Sequence, residues 1–269
     1  VRMAIITLPG VKSGGEASTG LNVRGGATDQ NLILFNGANI YNPSHLFGFF
    51  SAFDPDLIKD VTLYKSAIPA NFGGRISSVL DINSVDGNDK KISGSAGIGP
   101  LTGKFTIQGP LIKDKTTFVA GVRTTYSDWV LKALPKDYNR SSASFQDATI
   151  HISHKINSKN NLYLNGYLSG DKFNLNSDTT YAYHNKNANI KWKHSFNNRF
   201  YSVLTAGIDH YDYKVSADDN PVNAYELSYK INQYKFNADF SYFLNNKHKI
   251  VFGVNSLYYN IQSGTFLPL

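Results

Sequence analysis

The sequence predicts a small α+β unit over residues 1–85 followed by an all-β part over residues 86–269, built from antiparallel transmembrane β-barrel strands. Three observations in the second part carry this. Apolar and polar residues alternate with period two, as a strand with two unlike faces requires. Ala148, Ile150, Ile152 and Ile156 share one face, and Thr149, His151, Ser153 and Lys155 the other. Leu162, Leu164, Gly166 and Leu168 oppose Tyr163, Asn165, Tyr167 and Ser169, and Phe236, Ala238, Phe240 and Tyr242 oppose Asn237, Asp239 and Ser241. Many of these stretches reach about ten residues, the length of a tilted strand that crosses a bilayer. Their connections also alternate, with tight turns at 157–161, 197–198 and 245–247 and long loops at 127–144, 171–181 and 214–224. That parity belongs to outer-membrane barrels, whereas a soluble sandwich has shorter strands and no such alternation.

The elements follow in order. Asn31–Phe35 runs into Asn36-Gly37 and then Ala38–Tyr41, a hairpin whose type I′ turn needs positive φ at both central residues. Asp54–Lys59 reads as a short helix with Asp54 as its cap, Pro55 at its first position and Asp56 at the positive dipole end. Val61–Lys65 and Ile76–Ile82 read as strands on either side of a Gly73-Gly74 turn. The polar cluster Asp86–Lys90 is the joint between the two parts. Barrel strands are then placed near 91–98, 103–109, 115–126, 145–156, 161–170, 182–196, 199–213, 225–244 and 248–260. Such a set has two free edges, which cannot face lipid, so further strands are expected beyond it. The chain reads as an internal piece of a longer protein, with any signal peptide outside it.

Composition excludes several functions. With no cysteine, thiolate metal sites and cysteine nucleophiles are absent. The net charge of +7 invites a nucleic-acid reading, but the basic residues are scattered singly, so no nucleic-acid partner is expected. His151 and His154 are three apart on one strand and point to opposite faces, so no metal or other cofactor is expected there. Asp86–Asp89 lacks the twelve-position calcium loop, and reads as a plain turn. No Gly-x-Ser-x-Gly elbow occurs, and Gly94–Gly99 lacks the lysine of a phosphate loop, so the chain is not read as an enzyme.

Several ordered motifs resemble the plug domain of TonB-dependent outer-membrane receptors. They are Leu21–Gly26, Leu34–Gly37, Tyr41-Asn42-Pro43, Asp60–Lys65 and Asn71–Ile82. The Tyr41–Phe50 stretch and the Gly109–Lys115 turn are similar to the Bacteroidetes branch of that family. Two departures are mild: Asn36-Gly37 stands where the family usually has Asp-Gly, and Lys65-Ser66 where it often has Lys-Gly. The resemblance implies the C-terminal part of a plug over residues 1–85 and the first strands of a barrel of about 22, the size of plugged transporters.

It further implies a receptor in the outer membrane of a Gram-negative bacterium, in contact with outer-membrane lipid. Its substrate would be an extracellular small molecule, oligosaccharide or peptide, and its energy would come from TonB through a segment not in this chain. A surface lipoprotein is a further candidate partner. Arg24 and Arg75, each beside a double glycine, would pair with acidic residues on the inner barrel wall; guanidinium forks suit buried carboxylates. Gln30, Tyr41, Asn42 and His45 would face substrate. Gly25, Gly26, Gly37, Gly73 and Gly74 would serve turns that need positive φ or close backbone approach. The alternative is a plugged barrel acting in secretion or assembly, or as a surface binding protein without transport.

Overall fold

The computed structural model describes residues 7–13, 20–126, 128–133, 141–175, 179–217 and 222–268. The N-terminal unit contains β1 (Val11–Ser13), β2 (Leu21–Val23), β3 (Asn31–Phe35), β4 (Ala38–Asn39), β5 (Ser44–His45), β6 (Phe50–Ser51), β7 (Ile58–Tyr64) and β8 (Ser78–Ser84). Four of them form one sheet in the order β4-β3-β8-β7, with β3 and β8 parallel. Asn36 and Gly37 have φ of 50° and 87°, which supplies the positive φ of the β3–β4 hairpin. The expected helix shrinks to a 3₁₀ turn, Pro55–Leu57, capped by the Asp54 carboxylate accepting from the Asp56 N–H at 3.1 Å. Ile58 already belongs to β7, because its strand partner Ser84 competes for the backbone that a longer helix would use.

The second part is one antiparallel meander, the wall. Its strands are β9 (Ser93–Ile98), β10 (Thr102–Ile112), β11 (Thr116–Thr125), β12 (Ser142–Asn157), β13 (Asn160–Leu175), β14 (Thr179–Asn197), β15 (Phe200–Ala217), β16 (Tyr225–Phe243) and β17 (Lys249–Pro268). All nine pair in sequence order. They run further than the alternation suggested: β13 and β14 extend into the expected 171–181 loop, and β17 continues to Pro268. Cross-strand pairs such as Asp171↔Tyr183 and Phe173↔Tyr181 sustain the ladder there. Among the described residues no helix is long and apolar enough to cross a membrane.

Burial on the wall is inverted relative to a water-soluble protein. Ile150, Leu168 and Phe236 are 44%, 54% and 48% exposed, while Asn185, Asn187 and Asp209 are 0%, 5% and 1% exposed. The apolar face is turned outward and the polar face inward, where the N-terminal unit covers it. That is the arrangement a lipid solvent demands. The core of the N-terminal unit gathers Val23, Ile33, Phe35, Phe53, Leu80 and Ile82, and one wall residue, Tyr167, completes it.

Candidate functional site

The inward face of the wall and the N-terminal unit meet through buried polar contacts at two nodes. The first is built around His45. β5 carries it across to the wall, and its ring stacks on Phe145 at 4.2 Å, 3° from parallel. Nδ1 lies 2.7 Å from Asp171 Oδ2 and Nε2 lies 3.1 Å from Asp147 Oδ2. The side chains of all three residues are 3% exposed or less. Each ring nitrogen thus has a carboxylate oxygen within hydrogen-bond distance, an arrangement that favours the doubly protonated, cationic imidazole. Burial pulls its pKa down, but the Asp147 and Asp171 carboxylates outweigh it and hold the group above the ordinary histidine value. Arg123 from β11 supplies the second cation, donating from Nη2 to Asp147 at 2.7 Å and to the Ser51 carbonyl at 2.8 Å. Two cations thus face two carboxylates. The Leu46 N–H donates to Asp171 Oδ1 at 3.0 Å, and the Tyr183 hydroxyl donates to the Ser44 carbonyl at 3.1 Å.

The second node holds the hairpin. Asp209 on β15 accepts from the Asn39 N–H at 3.1 Å, from Asn187 Nδ2 at 2.8 Å and from Lys235 Nζ at 2.8 Å. Asn187 Nδ2 also donates to the Asn39 carbonyl, Asn189 Nδ2 to the Asn36 carbonyl and Lys235 to the Gly37 carbonyl. The Tyr41 hydroxyl and Asn39 Nδ2 both donate to Gln233 Oε1, at 2.7 and 3.1 Å. The backbone ends that a hairpin tip leaves without strand partners are therefore met by side chains of the wall. Below it lies a cavity of about 480 Å³ between the N-terminal sheet and the wall, lined by Lys191, Lys193, Lys235, Lys249 and Arg75 with Asp81 and Asp239.

Where the joint meets the wall, Asp86 is 2.8 Å from Lys59 Nζ and 3.4 Å from His151 Nε2. The neighbouring His151 imidazole, with Lys59 adding to it, holds the Asp86 carboxyl well below the usual range.

The expected site residues fall into three groups. Tyr41 and Asn42 are half-buried at the second node, where Tyr41 packs on Tyr211 at 5.6 Å. His45 is corrected: at 1% exposure it is enclosed by the wall and offers no surface to a solute. Gln30 is corrected as well. It lies at the opposite end of β3 from the hairpin, and its side-chain oxygen is taken by the Ala27 N–H at 3.1 Å.

Among the described residues neither Arg24 nor Arg75 pairs with a wall carboxylate. Arg24 is exposed with φ 50°, and Arg75 donates to the neighbouring Gly74 carbonyl at 2.7 Å. Gly25, Gly37 and Gly74 have positive φ, and a Cβ on Gly26 would strike Ser77. Gly73 has neither feature, so the expectation fails there. The residues that do bind the unit to the wall, Arg123, Asp147, Asp171, Asp209, Gln233 and Lys235, were not anticipated. Their one signal is a charge or amide on the inward parity of the wall strands.

A compact α+β unit bound by ionic nodes inside a curved antiparallel wall is a plugged barrel. Residues 1–79 match the family model of the TonB-dependent Receptor Plug Domain. The chain has the fold of a TonB-dependent receptor. Solved structures place the whole arrangement, plug and wall together. The siderophore receptor PirA from Acinetobacter baumannii aligns at a TM-score of 0.69 with 15% identity, over 94% of this chain and 44% of its own. The ferric citrate transporter FecA aligns at 0.70 with 10% identity, over 97% and 44%. The copper transporter OprC aligns at 0.73 with 9% identity, over 98% and 44%. This chain therefore spans less than half the length of each. No curated protein sequence matches it. The plug and the inside-out wall place the chain in the outer membrane of a Gram-negative cell.

Proposed function

We propose that this chain is the plug-bearing part of an outer-membrane transporter that binds an extracellular solute and imports it with energy from the TonB system. The domain joint is placed after residue 85, and the Tyr41–Phe50 sequence favours a receptor of the Bacteroidetes type. The observation that carries the transport reading is the character of the plug–wall interface. At its two nodes it is buried yet made of ion pairs and hydrogen bonds to carboxylates, which water can replace when the plug moves. A permanent stopper would gain more from apolar packing. The solute would meet Tyr41 and Asn42 beside Tyr211 and Tyr213, with Phe49, 77% exposed, on the plug loop nearby. Tyrosine faces and hydroxyls suit a polar, ring-bearing solute.

The test uses cells expressing the full protein, with and without TonB, and a panel of ferric catecholate, cobalamin, maltodextrin and short peptides. One solute binds in both strains and enters only the strain with TonB, and Tyr41→Ala weakens its binding about tenfold, the loss of one stacked, hydrogen-bonded contact. Uptake that is equal in the two strains refutes the energy coupling.

A further inference from the structure

The cavity below the hairpin is lined with more positive charge than the residues around it neutralise. On the wall side the cations form a ladder. The inward rows of the register descend toward the short turns as Asn189–Gly207–Lys235, then Lys191–Thr205–Asn237, then Lys193–Val203–Asp239. Lys249, opposite Phe243, stands at the turn end of the same face. Each row lies two residues below the last, about 6.8 Å along a strand, so Lys235, Lys191 and Lys193 descend by one such step each. The plug contributes Arg75 from the other side of the cavity. By barrel topology the short turns mark the periplasmic end, so the ladder occupies the inner half of the lumen.

Only the top of the ladder is paired, Lys235 with Asp209 at 2.8 Å. Among the described residues Lys191, Lys193, Lys249 and Arg75 have no ion pair, although Asp81 and Asp239 line the same cavity. Lys193 Nζ lies over the Tyr163 ring at 4.9 Å and Lys249 Nζ over the Tyr201 ring at 5.8 Å, contacts that leave the charge in place. Lys191 Nζ lies against the hairpin tip, where a Cβ on Gly37 would come within 3.7 Å of it. Arg75 commits Nη1 to the Gly74 carbonyl and keeps the rest of its donor fork. A cleft lined by one sign of charge with low-dielectric walls concentrates ions of the other sign.

We propose that this cavity is a binding site for a multivalent oxyanion, a phosphate or a clustered carboxylate, held between Arg75 of the plug and Lys191, Lys193 and Lys249 of the wall. Lysine meets such a group as a point charge and arginine as a planar fork. A single lysine in solvent is matched by any small anion. Several cations sharing one cavity are satisfied together only by an ion of several charges. The volume of about 480 Å³ lies within the roughly 300–1,000 Å³ of small-molecule sites. Because the cations belong to both bodies, the site is complete only while the plug is docked. A ligand that binds the docked state better than the separated one stabilises docking, so the anion acts as a clamp on the plug. The site rests on the docked geometry and not on transport, so it stands whatever solute the receptor takes.

The test is equilibrium binding by the full protein in detergent, read by calorimetry. The probes are inorganic pyrophosphate and tricarballylate, with sodium chloride at matched ionic strength as the reference. Wild type binds a single probe per chain, the stronger of the two identifies the head group, and added salt weakens it, as a charged site requires. K191Q/K193Q/K249Q weakens binding at least about tenfold, and K191Q alone does so in part. Saturating probe slows amide exchange at Asn39, whose N–H is bonded to Asp209 beside the cavity, and Arg75→Gln removes that slowing. K172Q/K186Q/K230Q, which changes three exposed lysines of the outward face, leaves both readings as in wild type. Heat-modifiable migration confirms that each variant remains a folded barrel. Wild-type binding no greater than that of chloride, or binding unchanged in the triple wall variant, overturns the site. Slowing at Asn39 that survives Arg75→Gln overturns the clamp.

Discussion

Replacing His45 by Leu tests the first node most directly. The imidazolium lies between Asp147 and Asp171, whose side chains are 3% and 0% exposed. Leu restores the volume but none of the charge. Asp147 keeps Arg123, whereas Asp171 retains only neutral donors such as the Leu46 N–H. Breaking a buried pair by removing one partner costs about 3–5 kcal/mol, because the remaining charge is buried without compensation. Plug opening at this node should therefore become roughly a hundred- to several-thousand-fold more frequent. Amide hydrogen exchange of the full protein reads this at Leu46, whose N–H is bonded to the wall, with the β16–β17 amides as internal reference. The cycle with Asp171→Asn separates charge from packing. In that background the His45→Leu cost should shrink, giving a coupling of about 2–3 kcal/mol. A coupling below about 0.5 kcal/mol would mean that His45 acts through its stacking on Phe145, and the ionic account of the latch would be wrong.

The same node gives a pH dependence. The folded pKa of His45 is raised, so its contribution is complete below the unfolded value near 6.5 and is lost as pH rises through the raised value. Plug exchange should accelerate from mildly acidic to alkaline pH, and His45→Gln should flatten that profile. At the second node, Lys235→Met leaves Asp209 buried without its cation and should loosen the hairpin by about 3–5 kcal/mol, seen as faster exchange at Asn39 with β8 unaffected. Gly37→Ala places a Cβ at φ 87° and should cost about 1–2 kcal/mol in a denaturant titration of the plug. On the lipid face, Ile190→Arg should cost about 2–4 kcal/mol of barrel stability in urea titration in lipid vesicles.

Most of the wall was legible in the sequence because lipid and lumen impose a period-two code on every strand. Ile150 and Leu164 point outward, and His151 and Asn165 inward, as the alternation requires. Strand ends were less legible. Beyond the bilayer the apolar constraint lapses, and cross-strand pairs such as Asp171↔Tyr183 decide where a ladder stops. The latch residues were hidden for another reason. His45 and Asp171 are 126 residues apart, and Asn39 and Asp209 are 170 apart, so no local window shows them together. Position in the plug suggested that His45 faces outside, yet its charge state follows from two aspartates that only the folded wall supplies. Arg24 and Arg75 find no wall carboxylate among the described residues. Each has the right chemistry for a carboxylate, but among the described residues Arg24 stays exposed and Arg75 turns to the neighbouring Gly74 carbonyl.

The form of the interface follows from the two demands made on it. In the proposed transport the plug must remain in the lumen against water on both sides, and it must be able to leave its contacts without unfolding the wall. An apolar interface would meet the first demand and fail the second, because separating it exposes hydrocarbon surface at about 25 cal/mol per Å² with no replacement partner. Ion pairs behave differently. Buried and fully partnered, as at His45 and Asp209, they fix one register, since a shift of one residue turns the charged side chain to the wrong face of its strand. Once water enters, each group regains its hydration, so the free energy of the separated state lies close to that of the docked one. The inward amides of Asn185, Asn187 and Asn189 make the same exchange with water. Specific placement and low separation cost thus come from the same residues. The apolar contribution comes from Leu46 and Phe50 against Phe145 and Phe173, and from Phe35 and Phe53 against Tyr167. Tyr167 keeps a hydroxyl bonded to the Ala52 carbonyl at 2.9 Å, so even this contact has a polar end that water can take over.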